Sequence, residues 1–365
     1  MDMNKTIGRD AEKEIILNAI ERGNNLCISG PIYRGKTHLV NQIAEELTQR
    51  KYIPIYFNCM TGFNEKSFLE AFSKSILKNM SFKLKNIFED SQKYLPNIRP
   101  KINMNPIHGV DIRIDYNVTN KDISQYLSEM INVPNKIYED TKEKIVIIFD
   151  EYQSVQELAG VNITDIIARS IKVGVSYIFV SSKAKELDKI IPKKNYDKML
   201  IADNLQLAKI PLNVLYFYVD NAFKDAGIKV TNNIIDKLIS ITDSEIAFFN
   251  IILQKLIYKG KIFKRVSLMD ISSAIKDIVN GYDDIFFNFF DSLSTHQKNF
   301  IIAIAREGGK QIFKGEFIYH NGLVSVPSVQ TSINALIKKN FVHKENSEYI
   351  ITNFFFKEWL KRNFL

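Results

Sequence analysis

The chain has 365 residues, 45% of them hydrophobic, a formal net charge of +8 and only two cysteines, Cys27 and Cys59. That composition supports roughly two or three domains with real cores, excludes a disulfide framework, and permits contact with nucleic acid without a long Lys/Arg block to demand it. No apolar run reaches the roughly 18 residues of a membrane span, and Met1-Asp2-Met3-Asn4-Lys5 lacks the apolar stretch of a signal peptide, so no membrane partner is expected, while the two cysteines, each in the middle or at the end of an expected buried strand, point to a reducing cytoplasm.

Residues 8–22 read as an amphipathic helix with Ile15, Ile16, Ala19 and Ile20 as its apolar stripe. Asn25-Leu26-Cys27-Ile28-Ser29 reads as a short buried strand. It is followed by Gly30-Pro31-Ile32-Tyr33-Arg34-Gly35-Lys36-Thr37, which matches the phosphate-binding loop G-x-x-x-x-G-K-[ST]. From Thr37 and His38 onward, Leu39, Ile43 and Leu47 have helical spacing. Strand, loop and helix in that order make a nucleoside triphosphate site, where the bland reading is a chance match on a glycine-containing turn. The glycines let backbone N–H groups turn toward the β-phosphate, and the helix presents its positive end. Lys36 would bridge the β- and γ-phosphates, and the Thr37 hydroxyl would ligate Mg²⁺.

Further strands are expected at Tyr52–Asn58, Ile145–Phe149, Val175–Val180 and about Asn204–Leu207, with helices between them. That alternation implies a mostly parallel sheet covered on both faces. Residues 79–118, with Pro96, Pro100, Pro106 and an alternating run over 109–116, read as an irregular insertion carrying a small strand outside the central sheet. Lys144–Glu151 is an apolar run ending in two carboxylates. Asp150 is expected to hold Mg²⁺ through water and Glu151 to polarise the attacking water as general base. The bland reading of the pair is a cap on the next helix.

After Pro211 the alternation stops, and helical patterns run to about Asn280, the arrangement of a nucleotide-responsive lid. Toward the C-terminus, Leu293–Ala305 reads as a capped helix, with further helices at about Phe313–Tyr319 and Ser328–Lys339. Phe341–Ile351 then alternates around a polar turn. Three helices and a hairpin are the order of a winged helix-turn-helix.

Taken together, the chain resembles the archaeal-ATPase type of P-loop NTPase, within the signal-transduction (STAND) branch of the AAA+-like ATPases. The resemblance rests on Ile7-Gly8-Arg9-Asp10, the loop Gly30–Thr37, Phe149-Asp150-Glu151-Tyr152-Gln153, and Tyr177–Ser182. It is completed by the helix-rich region after Ile210-Pro211 and by Tyr349–Asn353 with Phe356–Arg362. It implies an α/β core over 1–210, a helical lid over 211–282 and a winged-helix domain over 283–365. The implied ligands are ATP and Mg²⁺, and a nucleotide-dependent oligomer is expected. It places Gly8 and Arg9 near the adenine and makes Ser182 the sensor of the γ-phosphate. The residues themselves also allow a solvated charge at Arg9 and a helix N-cap at Ser182. The chain departs from the family pattern in having Ser181-Ser182 where Gly-Ser is common. It also lacks both Gly and Pro in the lid stretch Thr242–Phe248. Arg169 is the best candidate for an arginine finger, beside its reading as an ordinary surface arginine.

Three functions follow as expectations. The first is an ATP-dependent switch in which slow hydrolysis at Glu151 changes the state that the winged domain reports to a protein partner. The second is a DNA-binding initiator or a transposition or plasmid-maintenance ATPase. Here the helix Ser328–Lys339 would offer Ser328, Gln330, Thr331, Asn334 and Lys338 to double-stranded DNA, with Lys344 on the wing. That helix holds no arginine, so the contact would be weak and non-specific. The third is a nucleotide-binding adaptor without hydrolysis, against which Lys36, Thr37, Asp150 and Glu151 all stand. Five scattered histidines give no metal-site spacing.

Overall fold

The computed structural model describes residues 7–80, 94, 99–105, 109–115, 123–158 and 160–365. The chain divides into two compact units, one ending at Ile210 and the other comprising Pro211–Leu365. No described helix is long and apolar enough to cross a membrane.

In the first unit, with strands numbered along the chain, five parallel strands form one sheet. Their order is β2 (Ile53–Asn58), β5 (Ile145–Asp150), β6 (Val175–Ser181), β1 (Asn25–Ser29) and β7 (Ile201–Gln206). β1, β5 and β6 are buried along their whole length, which is why they read as unbroken apolar runs. Their side chains alternate between two cores. On one face Ile28, Ile148 and Val180 meet Ile16 and Ile20 of α1 (Asp10–Glu21) and Leu39 and Ile43 of α2 (Lys36–Gln49). On the other, Phe57, Phe149, Tyr177 and Phe179 join Phe68 and Phe72 of α3 (Glu65–Met80) and Met130 of α4 (Ile123–Thr141). Phe149 lies 6.0 Å from Phe179 in a stacked arrangement and 6.1 Å from Phe57 edge-on. These rings fix Phe149, the residue of β5 directly before Asp150. The short helices α5 (Ile163–Ser170) and α6 (Ala184–Ile190) follow β5 and β6. Pro54 is tolerated because β2 lies at one end of the sheet order.

The insertion differs from its sequence reading. Instead of one small strand it holds two, β3 (Arg99–Asn105) and β4 (Gly109–Asp115), paired antiparallel and separate from the central sheet. Pro100 lies in β3 and hides it from a pattern search. The rest of the insertion reading falls on residues 81–93, 95–98, 106–108 and 116–118, outside the described residues.

The second unit begins with four helices, α7 (Leu212–Asp225), α8 (Asn232–Ile241), α9 (Ile246–Phe263) and α10 (Leu268–Gly281), followed by α11 (Asp283–Asp291). Then come α12 (Thr295–Glu307), α13 (Gly315–His320), α14 (Val326–Lys338), the antiparallel hairpin β8 (Val342–Glu345) and β9 (Glu348–Ile351), and α15 (Phe354–Phe364). A Ser294/Gln297 capping box starts α12, and Ser325 caps α14 with Pro327 in its first turn. α15 closes the winged helix onto its neighbours. Trp359 Nε1 donates to Asp283 Oδ1 at 2.8 Å, and Arg362 pairs with the same carboxylate. Phe355 meets Phe248 of α9 edge-on at 5.6 Å. The turn between α8 and α9 carries Asp243 and Ser244 at φ 49° and 59°. These are left-handed positions that glycine occupies freely, and they fall in the stretch where the family's glycine is missing.

Candidate active site

β5, β6 and β1 are neighbours in the sheet, so their C-terminal ends bring the acid pair, Ser182 and the glycine loop side by side. That edge is where open α/β sheets bind ligands. Gly35 leads into α2 at φ 81°, a left-handed turn that needs glycine. A Cβ on Gly30 would lie 3.1 Å from the Leu207 carbonyl oxygen, so any other residue there would crowd the close approach of the loop to the end of β7.

Lys36, only 5% exposed, donates from Nζ to the Gly30 and Pro31 carbonyls at 2.8 and 2.7 Å. Pro31, Ile32 and Tyr33 are half-buried and Arg34 is buried, while Thr37 and His38 are exposed on the first turn of α2. Arg9 is buried rather than solvated. Its guanidinium donates to the Arg34 carbonyl at 3.3 Å and the Ala208 carbonyl at 2.6 Å, and it pairs with Glu12 at 2.6 Å. It therefore ties the phosphate loop to the chain after β7, with Gly8 preceding it at φ 58°.

Asp150 is 1% exposed and fully engaged. Its Oδ2 accepts from Thr37 Oγ1 at 2.7 Å and from the Tyr56 hydroxyl at 2.8 Å, and its Oδ1 accepts from the Glu151 N–H at 2.9 Å. Tyr56 was not singled out from sequence. The signal was present in β2, where Pro54, Tyr56 and Asn58 alternate with buried residues on the face turned to the acid. Burial, and then the charge of Asp150, push the Tyr56 hydroxyl well above its ordinary range, so it remains a donor. Cys59 is likewise raised by burial first and the acid pair second, and burial takes Cys27 up to about 12. Both thiols are neutral core groups.

Thr37 and Asp150 present only oxygens, 2.7 Å apart. Among the described residues no cluster of three His, Cys, Asp or Glu could cage a metal. Such a donor set suits Mg²⁺, which keeps several waters and takes one carboxylate plus phosphate oxygens.

Glu151 occupies the left-handed region at φ 52° and makes no side-chain cap bond to the 3₁₀ turn Tyr152–Glu157 that follows, so the capping reading does not hold. Its Oε2 accepts instead from Ser182 Oγ at 2.7 Å and from Gln153 Nε2. Gln153 Nε2 also lies 3.0 Å from Ser182 Oγ, and Gln153 Oε1 accepts from Ser181 Oγ at 2.7 Å. Ser182 is not a helix cap either, since α6 starts after Lys183 without a side-chain cap bond. Arg169 is exposed in the last turn of α5.

The side chains of the winged helix singled out from sequence are mostly exposed, several of them with partners of their own. Lys339 donates to the Ser292 carbonyl at 3.1 Å, Lys344 lies 5.1 Å over the Tyr349 ring, and Gln330 bonds Asn334 at 3.0 Å. Lys338 is exposed at the end of α14.

A parallel sheet whose glycine loop feeds a helix, with a buried aspartate on that helix's first-turn hydroxyl, defines a P-loop NTPase. Residues 7–167 match the family described as an ATPase domain predominantly from Archaea, and residues 284–362 match a probable winged helix domain. The chain therefore carries an archaeal-type ATPase domain and, toward its C-terminus, a winged helix domain. Among solved structures it is similar to a Walker-type ATPase of Pyrococcus abyssi, at TM-score 0.64 and 13% identity, covering 98% of this chain and 96% of that one. It is also similar to the ORC1 protein of Aeropyrum pernix in complex with DNA (TM-score 0.56, 12% identity, 99% and 94% covered). The ORC2 protein of the same organism, in ADPNP-ADP complexes, is a further likeness (TM-score 0.56, 14% identity, 97% and 92% covered). At such identities the likeness shows the fold. No curated protein matches the sequence.

Proposed function

We propose that this protein is an ATP-hydrolysing molecular switch of the STAND kind, whose nucleotide state is passed to a protein partner through the unit Pro211–Leu365. The observation that carries the reading is the direct hydrogen bond between Glu151 and Ser182 on the ends of adjacent strands. It ties the residue proposed to activate water to the one proposed to sense the γ-phosphate. In this reading the backbone of Gly30–Thr37 cradles the phosphates and Lys36 meets the β- and γ-phosphates. Thr37 directly and Asp150 through water would hold Mg²⁺, which would supply charge neutralisation on the phosphate oxygens. Tyr56 keeps the Asp150 carboxylate oriented. Glu151 takes the proton of the attacking water, and Ser182 donates to the γ-phosphate. Gly8 and Arg9 border the adenine, residues 211–282 act as the lid, and the ATP-bound form self-associates.

Limited trypsin digestion tests the switch. Cleavage near the Ile210–Pro211 junction should differ between protein saturated with ADP and with the slowly hydrolysed analogue ATPγS. Identical digestion patterns would remove the switch.

A second reading, contact with double-stranded DNA, is favoured by the winged helix and by the ORC1 likeness, a protein seen with DNA. Because the helix over 328–339 holds no arginine, we expect weak retention in a shift assay at low salt, fading as salt rises through counterion release. Charge reversal of Lys338, Lys339 and Lys344 together should abolish it. No retention by full-length protein with ATP at low salt would leave the winged helix as a protein-contact module.

A further inference from the structure

Gln153 is 9% exposed and makes no direct contact that phosphate binding would require, yet its carboxamide meets three polar side chains at the edge of the site. Its orientation is forced by chemistry. A carboxylate only accepts, so the amide must turn Nε2 toward Glu151 and Oε1 toward Ser181, whose hydroxyl donates at 2.7 Å. Nε2 then has two hydrogens and two acceptors, Glu151 Oε2 and Ser182 Oγ at 3.0 Å.

Ser182 has a single hydroxyl proton, and in this structure that proton is given to Glu151 at 2.7 Å. A γ-phosphate oxygen is also an acceptor. Ser182 can donate to it only by releasing Glu151, so sensing the nucleotide and holding the base compete for one proton. When Ser182 turns away, Gln153 still donates to Glu151 Oε2. Resting on the reading of Glu151 and Ser182 given above, we infer that Gln153 is a positioning residue that keeps the Glu151 carboxylate in place once the γ-phosphate takes Ser182. The Glu151 Oε2 lone pair that Ser182 releases is then open to accept the proton of the attacking water. Ser181 is part of the device because its hydroxyl anchors Oε1 of the amide that the carboxylate has oriented. The common family glycine at that position has no hydroxyl to do so.

Gln153→Met tests this in the full chain, since methionine keeps the length and packing of glutamine and removes all three hydrogen bonds. Single-turnover ATP hydrolysis should fall about tenfold, the order a hydrogen bond to a charged group is worth, with KM within about twofold. Calorimetry supplies a readout apart from turnover. ADP affinity should be unchanged, while the preference for ATPγS over ADP should drop about threefold, because Ser182 loses the donor that polarises its hydroxyl. Gln153→Met and Ser182→Ala should also be non-additive in the double variant, as residues sharing one network are. Gln153→Met with wild-type turnover and ATPγS preference, beside an inert Glu151→Gln, would overturn the inference and leave the base assignment standing. Wild-type turnover in Glu151→Gln would remove the base assignment and the positioning role with it.

Discussion

Glu151→Gln should bind ATP with affinity close to the wild type and hydrolyse it more slowly by a factor on the order of 100 or more. The substitution keeps the size of the side chain and an oxygen that accepts hydrogen bonds, so Ser182 and Gln153 can still hold it. What it removes is the capacity to take a proton from water, because an amide is not a base near neutral pH. The left-handed backbone at φ 52° is also within reach of glutamine, so the fold bears little extra strain. Binding and chemistry are therefore separated in one variant. Calorimetry with ATP reads the first, and single-turnover phosphate release reads the second. Equal turnover in variant and wild type would take Glu151 out of the mechanism.

How far the site was legible depended on whether its constraints are local. The loop was legible because backbone geometry demands Gly30 and Gly35 at fixed spacing, and Lys36 and Thr37 follow them directly in the chain. Asp150 and Glu151 were legible because β5 is buried on both faces, and its apolar run ends where two carboxylates meet the sheet edge. Tyr56 was not, because its contact with Asp150 depends on the register of β2 against β5, which pairs Asn58 with Asp150 and sets Tyr56 two residues back. Arg9 was open between solvent and ligand, and its placement beside the loop depends on Ala208, a residue distant in sequence.

The fold shows the same division. β7 was expected only from about Asn204 because it ends the sheet order, and its exposed Asp203 breaks the apolar pattern. α11 was missed for a different reason. Asp283–Asp291 has phenylalanines on several sides, with Phe286 buried and Phe287 58% exposed, so no single stripe marks it as a helix.

Lys36→Ala should weaken binding of ATP by about 100-fold or more, the scale expected when one partner of a close charge pair is truncated. The structure gives the variant two ways to fail, and they can be told apart. In the present arrangement the ammonium is spent on the Gly30 and Pro31 carbonyls, 2.8 and 2.7 Å away, so it closes the loop upon itself. With nucleotide it would exchange those carbonyls for phosphate oxygens, trading neutral acceptors for charged ones, and that gain is what binding uses. Alanine removes both the phosphate contact and the closure. Lys36→Met removes the charge but keeps the buried chain that fills the loop. If the phosphate contact dominates, the two variants should lose ATP affinity nearly equally and show similar thermal unfolding. If loop closure dominates, the alanine variant alone should unfold earlier and the methionine variant should keep most of its affinity. The charge reading predicts the first pattern, because the phosphates carry the charge that the carbonyls lack. Undiminished ATP binding by Lys36→Ala in calorimetry would refute the assignment of this loop as the nucleotide site.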